Sequence, residues 1–173
     1  NTLLSKISPL IGISHAIFYS KDEVSDKKNS IFKLTASYAM KERKHITNTI
    51  KPGEGLIGQA ILEKSPIILT DVPNDYIRIH SGLGEAPPMN VYVLPVVFEQ
   101  EVIAVLEVAS FKKFDEVEQG FIEEIIKSLG IILDSVMGRI KLANLLEESQ
   151  ALTEEVQAQS EELQSQQEEL RAT

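Results

Sequence analysis

The sequence contains no cysteine. That absence excludes structural disulfides, thiolate metal sites, cysteine nucleophiles and thioether-attached chromophores together. A reducing, cytoplasmic setting is compatible with it. Histidine is scarce as well: His15, His45 and His80 stand far apart, and three isolated histidines without cysteine do not suggest a metal site. His15 lies among apolar, strand-forming residues, where a buried, hydrogen-bonded imidazole is expected rather than a ligand. None of the three precedes the Glu/Asp-Leu-Arg pattern of a kinase phosphoacceptor, so this segment is not expected to be the phosphorylated one. No run approaches about 18 consecutive apolar residues, so no membrane-spanning helix is expected. No Ser/His/Asp arrangement stands out. Gly82-x-Gly84 follows no clear strand and opens no clear helix, so a dinucleotide fingerprint is not read there.

Positive charge is thin and unevenly placed. The net charge of −9 over 173 residues is concentrated at the end. Residues 142–173 hold eight Glu and one Arg, contributing −7, so residues 1–141 carry −2. No Lys/Arg cluster is large enough for a row of phosphate contacts, and nucleic acid is not expected as a partner.

What the sequence does have is a heptad repeat. Leu142, Ser149, Val156, Leu163 and Leu170 fall at position a, and Leu145, Leu152, Gln159 and Gln166 at d. Glu pairs occupy f and g in each of the four repeats from Glu147–Glu148 to Glu168–Glu169. An apolar seam every 3.5 residues on strong helix formers predicts a coiled coil over 142–173. In a parallel pair the g glutamates face the neutral e residues Thr153, Ser160 and Gln167; in an antiparallel pair they would face each other. A parallel homodimer follows, with Leu142, Leu145, Leu152, Val156, Leu163 and Leu170 as its contact residues. The polar d positions Gln159 and Gln166 predict a weak, adjustable seam.

Ahead of the coil, Leu3, Leu4, Ile7, Leu10 and Ile11 recur at helical spacing with Gly12 as a stop, and Pro9 marks a kink. The start of this helix is expected to lie outside the sequence, and both ends read as cut from a longer chain. Ile13–Ser20 reads as a strand, Lys21–Ser30 as a hairpin loop, and Ile31–Met40 as a half-buried strand with Phe32, Leu34, Ala36 and Tyr38 on one face. Lys41–Pro52 is polar and irregular. Lys51–Gly55 reads as a turn, Leu56–Lys64 as a short helix with Ile57, Ala60 and Ile61 on one side, and Ile67–Thr70 as a brief strand. Asp71–Asn90 reads as a long loop with one helical turn. Val91–Phe98 and Val102–Phe111 form a hairpin about Glu99–Glu101. Asp115 N-caps the final helix, with Glu118 completing a capping box. Its apolar face is Val117, Phe121, Ile122, Ile125, Leu129, Ile132, Leu133, Val136 and Ile140. No proline interrupts it before Thr173.

This order of elements resembles the GAF domain family over roughly residues 3–140. The matching pieces are Gly53-Glu54-Gly55-Leu56-Ile57-Gly58-Gln59-Ala60, Ile68-Leu69-Thr70-Asp71-Val72, Leu94-Pro95-Val96-Val97 and Val102-Ile103-Ala104-Val105-Leu106-Glu107-Val108. The tail Ser149–Leu170 is similar to linkers that follow GAF domains in bacterial hybrid sensor histidine kinases. The resemblance implies an α+β fold. In it, a GAF-like antiparallel sheet of about six strands is flanked by helices and followed by a long coiled-coil helix. Terminal helices would cover one face, and a ligand pocket would lie under the loops on the other. Residues 1–141 would be the sensory domain and 142–173 the signalling linker.

Gly55 and Gly58 would let the turn and short helix approach the sheet closely. Phe18, Tyr38, Ile57, Tyr76, Ile79, Tyr92 and Leu94 are candidate pocket residues. The implied function is a non-catalytic, cytoplasmic sensory module. It would relay a small-molecule or neighbouring-domain signal to the kinase dimerisation domain downstream in the same chain; the alternative is a ligand-free dimerisation scaffold. Covalent tetrapyrrole binding and methionine sulfoxide reduction both need cysteine in this family, so neither a covalent bilin nor a metal is expected. Phe111–Glu116 resembles the cyclic-nucleotide signature of some relatives but lacks its Asn, and Asp115 already serves as a cap.

Overall fold

The computed structural model describes residues 2–22, 30–39, 47–74, 78–81 and 84–172. The first helix, α1 (Thr2–Ile7), stops short of the expected Ile11. A proline disfavours helical backbone at the residue before it, and Pro9 therefore ends the helix. The chain then turns tightly, with the Ile13 amide donating to the Ser8 carbonyl at 2.9 Å. Gly12 takes a left-handed φ of +68° there. Ile11 and Ile13 are buried, but Leu10 is 78% exposed and leaves the predicted stripe.

Six antiparallel strands follow in the spatial order β3-β2-β1-β8-β7-β4. They are β1 (His15–Lys21), β2 (Phe32–Tyr38), β3 (Thr49–Ile50), β4 (Ile67–Thr70), β7 (Asn90–Phe98) and β8 (Glu101–Ser110). The segment read as irregular thus contributes an edge strand, with Ile50 opposite Phe32. The segment read as a long loop contains a separate antiparallel pair, β5 (Ile79–Ser81) and β6 (Gly84–Ala86). Residues 75–77 and 82–83 of the loop in which one helical turn is expected lie outside the described residues, as does most of the Lys21–Ser30 loop. The β7–β8 turn needs only Glu99 and Gln100, both at positive φ, and Phe98 pairs directly with Glu101. Two left-handed residues match the twist of a tight hairpin.

Cross-strand partners share a face of the sheet, so the register separates two layers. Ile17 lies opposite Glu107 and Tyr19 opposite Val105; Val91 and Val93 lie opposite Ala109 and Glu107. This face packs with Ile57, Ala60 and Ile61 of α2 (Gly55–Glu63), and with Val72 and Ile79, in one apolar cluster. The other face carries Ala16, Phe18, Tyr92, Leu94, Val96, Ala104, Leu106 and Val108. It meets the long helix α3 (Glu116–Ala172): Tyr92 hydrogen-bonds Glu123, and Leu94 shares a groove with Glu123 and Ile126. Gly130 lets the helix in closely, since a Cβ there would sit 3.2 Å from the Val97 carbonyl oxygen.

Two sequence expectations change in detail. A bulge between Phe18 and Tyr19 in the β1–β2 pairing moves the alternation by one: Leu34 pairs with Tyr19 but Ala36 pairs with Phe18. Phe32 and Leu34 therefore face α2, while Ala36 and Tyr38 face the other way. On α3, the face against the sheet runs through Ile122, Ile126 and Gly130. Val117, Phe121 and Ile132 are 81%, 48% and 58% exposed. The apolar arc is too broad for one contact, so a second apolar surface is left open.

The Asp115 cap forms as read. The Glu118 amide donates to Asp115 Oδ1 at 2.7 Å, and the Asp115 amide donates to Glu118 Oε2 at 3.2 Å. Asp115→Ala should cost about 1 kcal/mol. A thermal melt would read this as a fall in Tm of roughly 2–4 °C; an unchanged Tm would show the cap to be redundant.

The chain divides into two compact units, Asn1–Ile132 and Leu133–Thr173. The second is helix alone. Its large apolar residues Val136, Ile140, Leu142, Leu145, Leu146, Leu152, Val156, Leu163 and Leu170 are all exposed.

Candidate functional site

The α2 side of the sheet holds the chemistry that an apolar core does not require. Glu107 stands in the middle of β8, between Ile17 on β1 and Val93 on β7. Its side chain is half-buried and makes no hydrogen bond or ion pair among the described residues. Burial raises its carboxyl from the ordinary value to about 7, because a low-dielectric setting disfavours the charged form. Two residues along β1, buried Tyr19 donates its hydroxyl to the Thr47 carbonyl at 3.0 Å. Burial pushes that phenol up, and the charge of Glu107 adds to the effect. At the opposite diagonal stands His15, also buried. The site therefore offers a half-buried carboxylate above an apolar floor, with the Tyr19 phenol enclosed beside it.

A strand-parity argument could have found Glu107. It is the one charge inside the apolar run Val102–Ser110 and shares parity with Val105 and Ala109, and a charged residue there is rarely buried without a partner.

The seven candidate pocket residues are not brought together. Ile57 and Ile79 lie in the α2-side cluster. Phe18, Tyr38, Tyr92 and Leu94 register on the face toward α3. Tyr76 lies outside the described residues. Tyr92 is committed to that second layer: its hydroxyl donates to Glu123 Oε1 at 2.5 Å and its ring packs beside Phe114. Burial first, and then this bond, raise its pKa far above the ordinary phenol range. Aromatic residues on strands are legible as inward, but not as to which layer they enter.

The glycine turn at the start of α2 is also clear. Gly55 supplies a φ of +63°. Gly58 allows close approach, though to the turn before it rather than to the sheet: a Cβ would lie 2.5 Å from the Lys51 carbonyl oxygen and 2.9 Å from Gly53 backbone atoms.

A six-stranded antiparallel sheet with its terminal helices on one face and a short helix and loops on the other defines a sensor-type α+β module. The GAF domain family model matches residues 1–134, and the chain belongs to that family, a regulatory and sensory module of signalling proteins. The GAF domain of a phosphoenolpyruvate-protein phosphotransferase from Coxiella burnetii is similar in structure at 18% identity. The match has a TM-score of 0.62 over 79% of this chain and 81% of that one. The GAF domain of a two-component sensor histidine kinase from Bacillus halodurans matches at 15% identity and TM-score 0.57, over 79% and 92%. A type II free methionine-R-sulfoxide reductase from Thermoplasma acidophilum matches at 16% and 0.57, over 78% and 89%. At these identities the likeness is one of fold. A search of curated proteins gives no match. Among the described residues, no helix is long and apolar enough to cross a membrane.

Proposed function

We propose that the chain is the cytoplasmic sensory module of a bacterial sensor histidine kinase, of the hybrid type. It dimerises in parallel through its terminal helices and passes a small-molecule or neighbouring-domain signal to the kinase dimerisation domain that follows. The observation that carries this reading is helix α3. It begins at the Asp115 cap beside the sheet and continues without a break through the heptad run to Ala172. Helices draw most of their stability from packing of an apolar face, yet the leucines from Leu142 to Leu170 stand more than half exposed in the single chain. A second copy satisfies that need. The groove of Ile7, Phe121, Ile125, Leu129 and Ile132 in the first unit offers it a further apolar contact.

Signal transfer then requires two arrangements of the coil close in energy, which the polar Gln159 and Gln166 at d would supply. Sedimentation equilibrium should give twice the 19.2 kDa chain mass. Leu152→Glu with Leu163→Glu should return it to one chain mass while the sheet signal in circular dichroism persists. In the parent kinase, Leu163→Glu should uncouple input from autophosphorylation. A wild-type chain that stays monomeric at tens of micromolar would defeat this reading.

A further inference from the structure

We propose that Glu107 anchors a small organic cation, an ammonium or guanidinium group on an apolar body, bound on the α2-side face of the sheet. This deepens the sensory reading above and rests on it.

β8 is a central strand of six, so exposure at Glu107 is not the exposure of a sheet edge. The residues around it on the same face are closed off: Val93 and Val105 are fully buried and Ala109 nearly so. Glu107 and its β1 partner Ile17 are only half-buried. The covering layer therefore leaves an opening over this pair, at the centre of the sheet. A carboxylate in such a place loses hydration and must recover it from a partner. Among the described residues it has none. Tyr19, two residues along β1 from Ile17, donates its hydroxyl proton to the Thr47 carbonyl and not to Glu107.

The geometry points to the class of ligand. A bare metal ion would need several oxygen or nitrogen ligands, and one carboxylate does not supply them. An ammonium or guanidinium group brings its own donors and positive charge to the carboxylate. The floor of Ile17, Val93 and Val105 gives an apolar body its complement. An anionic ligand would face an uncompensated like charge and is disfavoured.

The test is a titration of the dimeric chain, followed by amide chemical shifts at constant ionic strength. The probes are benzylammonium and n-butylguanidinium, with benzyl alcohol and 1-butanol as neutral counterparts. The cations should saturate shifts on β1 and β8 with Kd at least about tenfold below the matched alcohols, which corresponds to about 1.4 kcal/mol. Glu107→Gln, close in shape and free of the buried charge, should bring the cations to the level of the alcohols. Glu107→Asp, which withdraws the carboxylate by one methylene, should weaken the cations and leave the alcohols unchanged. Cations no better than alcohols, or unaffected by Glu107→Gln, would overturn the assignment. If the alcohols saturate at the same face without a cation advantage, the ligand-binding reading stands and the cation assignment falls. If no probe of either kind saturates, both fall.

Discussion

Gly58→Ala should destabilise the domain by about 3 kcal/mol, at the top of the usual overpacking range. The added methyl would meet the Lys51 carbonyl oxygen at 2.5 Å and the Gly53 nitrogen and carbonyl carbon at 2.9 Å. All three are backbone atoms, and they are held from several sides. The Gly53 amide donates to the Gly58 carbonyl at 2.8 Å, and the Glu54 amide to the Lys51 carbonyl at 3.0 Å. The Lys51 amide donates to the Glu54 carboxylate at 2.9 Å, and the Gly58 amide to the Glu54 carbonyl at 2.9 Å. Relief of the clash would break part of this ring, and would shift Ile57, Ala60 and Ile61 out of the core they seal. Urea unfolding should show the loss, and a thermal melt a fall in Tm of roughly 6–12 °C. Gly120→Ala is the control. It lies in α3 with open space where its Cβ would be, and should be neutral or stabilising by up to about 1 kcal/mol. Equal melting of Gly58→Ala and wild type would show that the turn yields, and that its glycine is not required by packing.

The sequence made the long elements legible because their signals are periodic and local. Strands β1, β2, β7 and β8 alternate or run apolar, and Asp115 with Glu118 is a cap that two residues suffice to announce. The elements it missed are too short to carry a period: β3 has two residues and β5 and β6 three each. The pairing that makes Thr49–Ile50 a strand comes from Phe32 and Lys33, residues far away in the chain. Leu10 matched the helical spacing, yet Pro9 decided the backbone. Tyr38 had the right alternation with Phe32 and Leu34, yet one bulge turned it to the other layer. The broad apolar arc of α3 was visible as a sum, but its division into a packed face and an open one is set by where the sheet lies. At the candidate site, the aromatics are conspicuous in the sequence and Glu107 is not. Composition marks aromatic rings as core or pocket alike, while the isolation of a buried carboxylate appears only once its cross-strand neighbours are known.

Glu107 should also give the fold a pH dependence opposite in sign to that of a salt-bridged acid. Its carboxyl is raised from 4.5 to about 7 by burial, so between those values the folded chain binds a proton that the unfolded chain has released. Stability from this group is fully present below about pH 4.5 and is lost as pH rises through 7, with a ceiling on the order of 3 kcal/mol. On β1, the titratable groups on either side of Ile17 on this face are His15 and Tyr19. Tyr19 is raised above the ordinary phenol value and titrates well above this window. His15 is present in both wild type and Glu107→Gln, so only its coupling to the carboxylate enters their difference. Urea unfolding of both proteins at equal chain concentration from pH 5 to 8 isolates the carboxyl. The Gln variant should gain on wild type steadily with rising pH and hold a constant advantage once Glu107 is fully ionised. Parallel curves would mean that Glu107 is hydrated in the folded state, and the opening over it would then be a solvent channel rather than a binding place. A bound organic cation reverses the sign, because it stabilises the ionised form. Saturating benzylammonium should therefore flatten or invert the wild-type slope and leave the Gln variant unmoved.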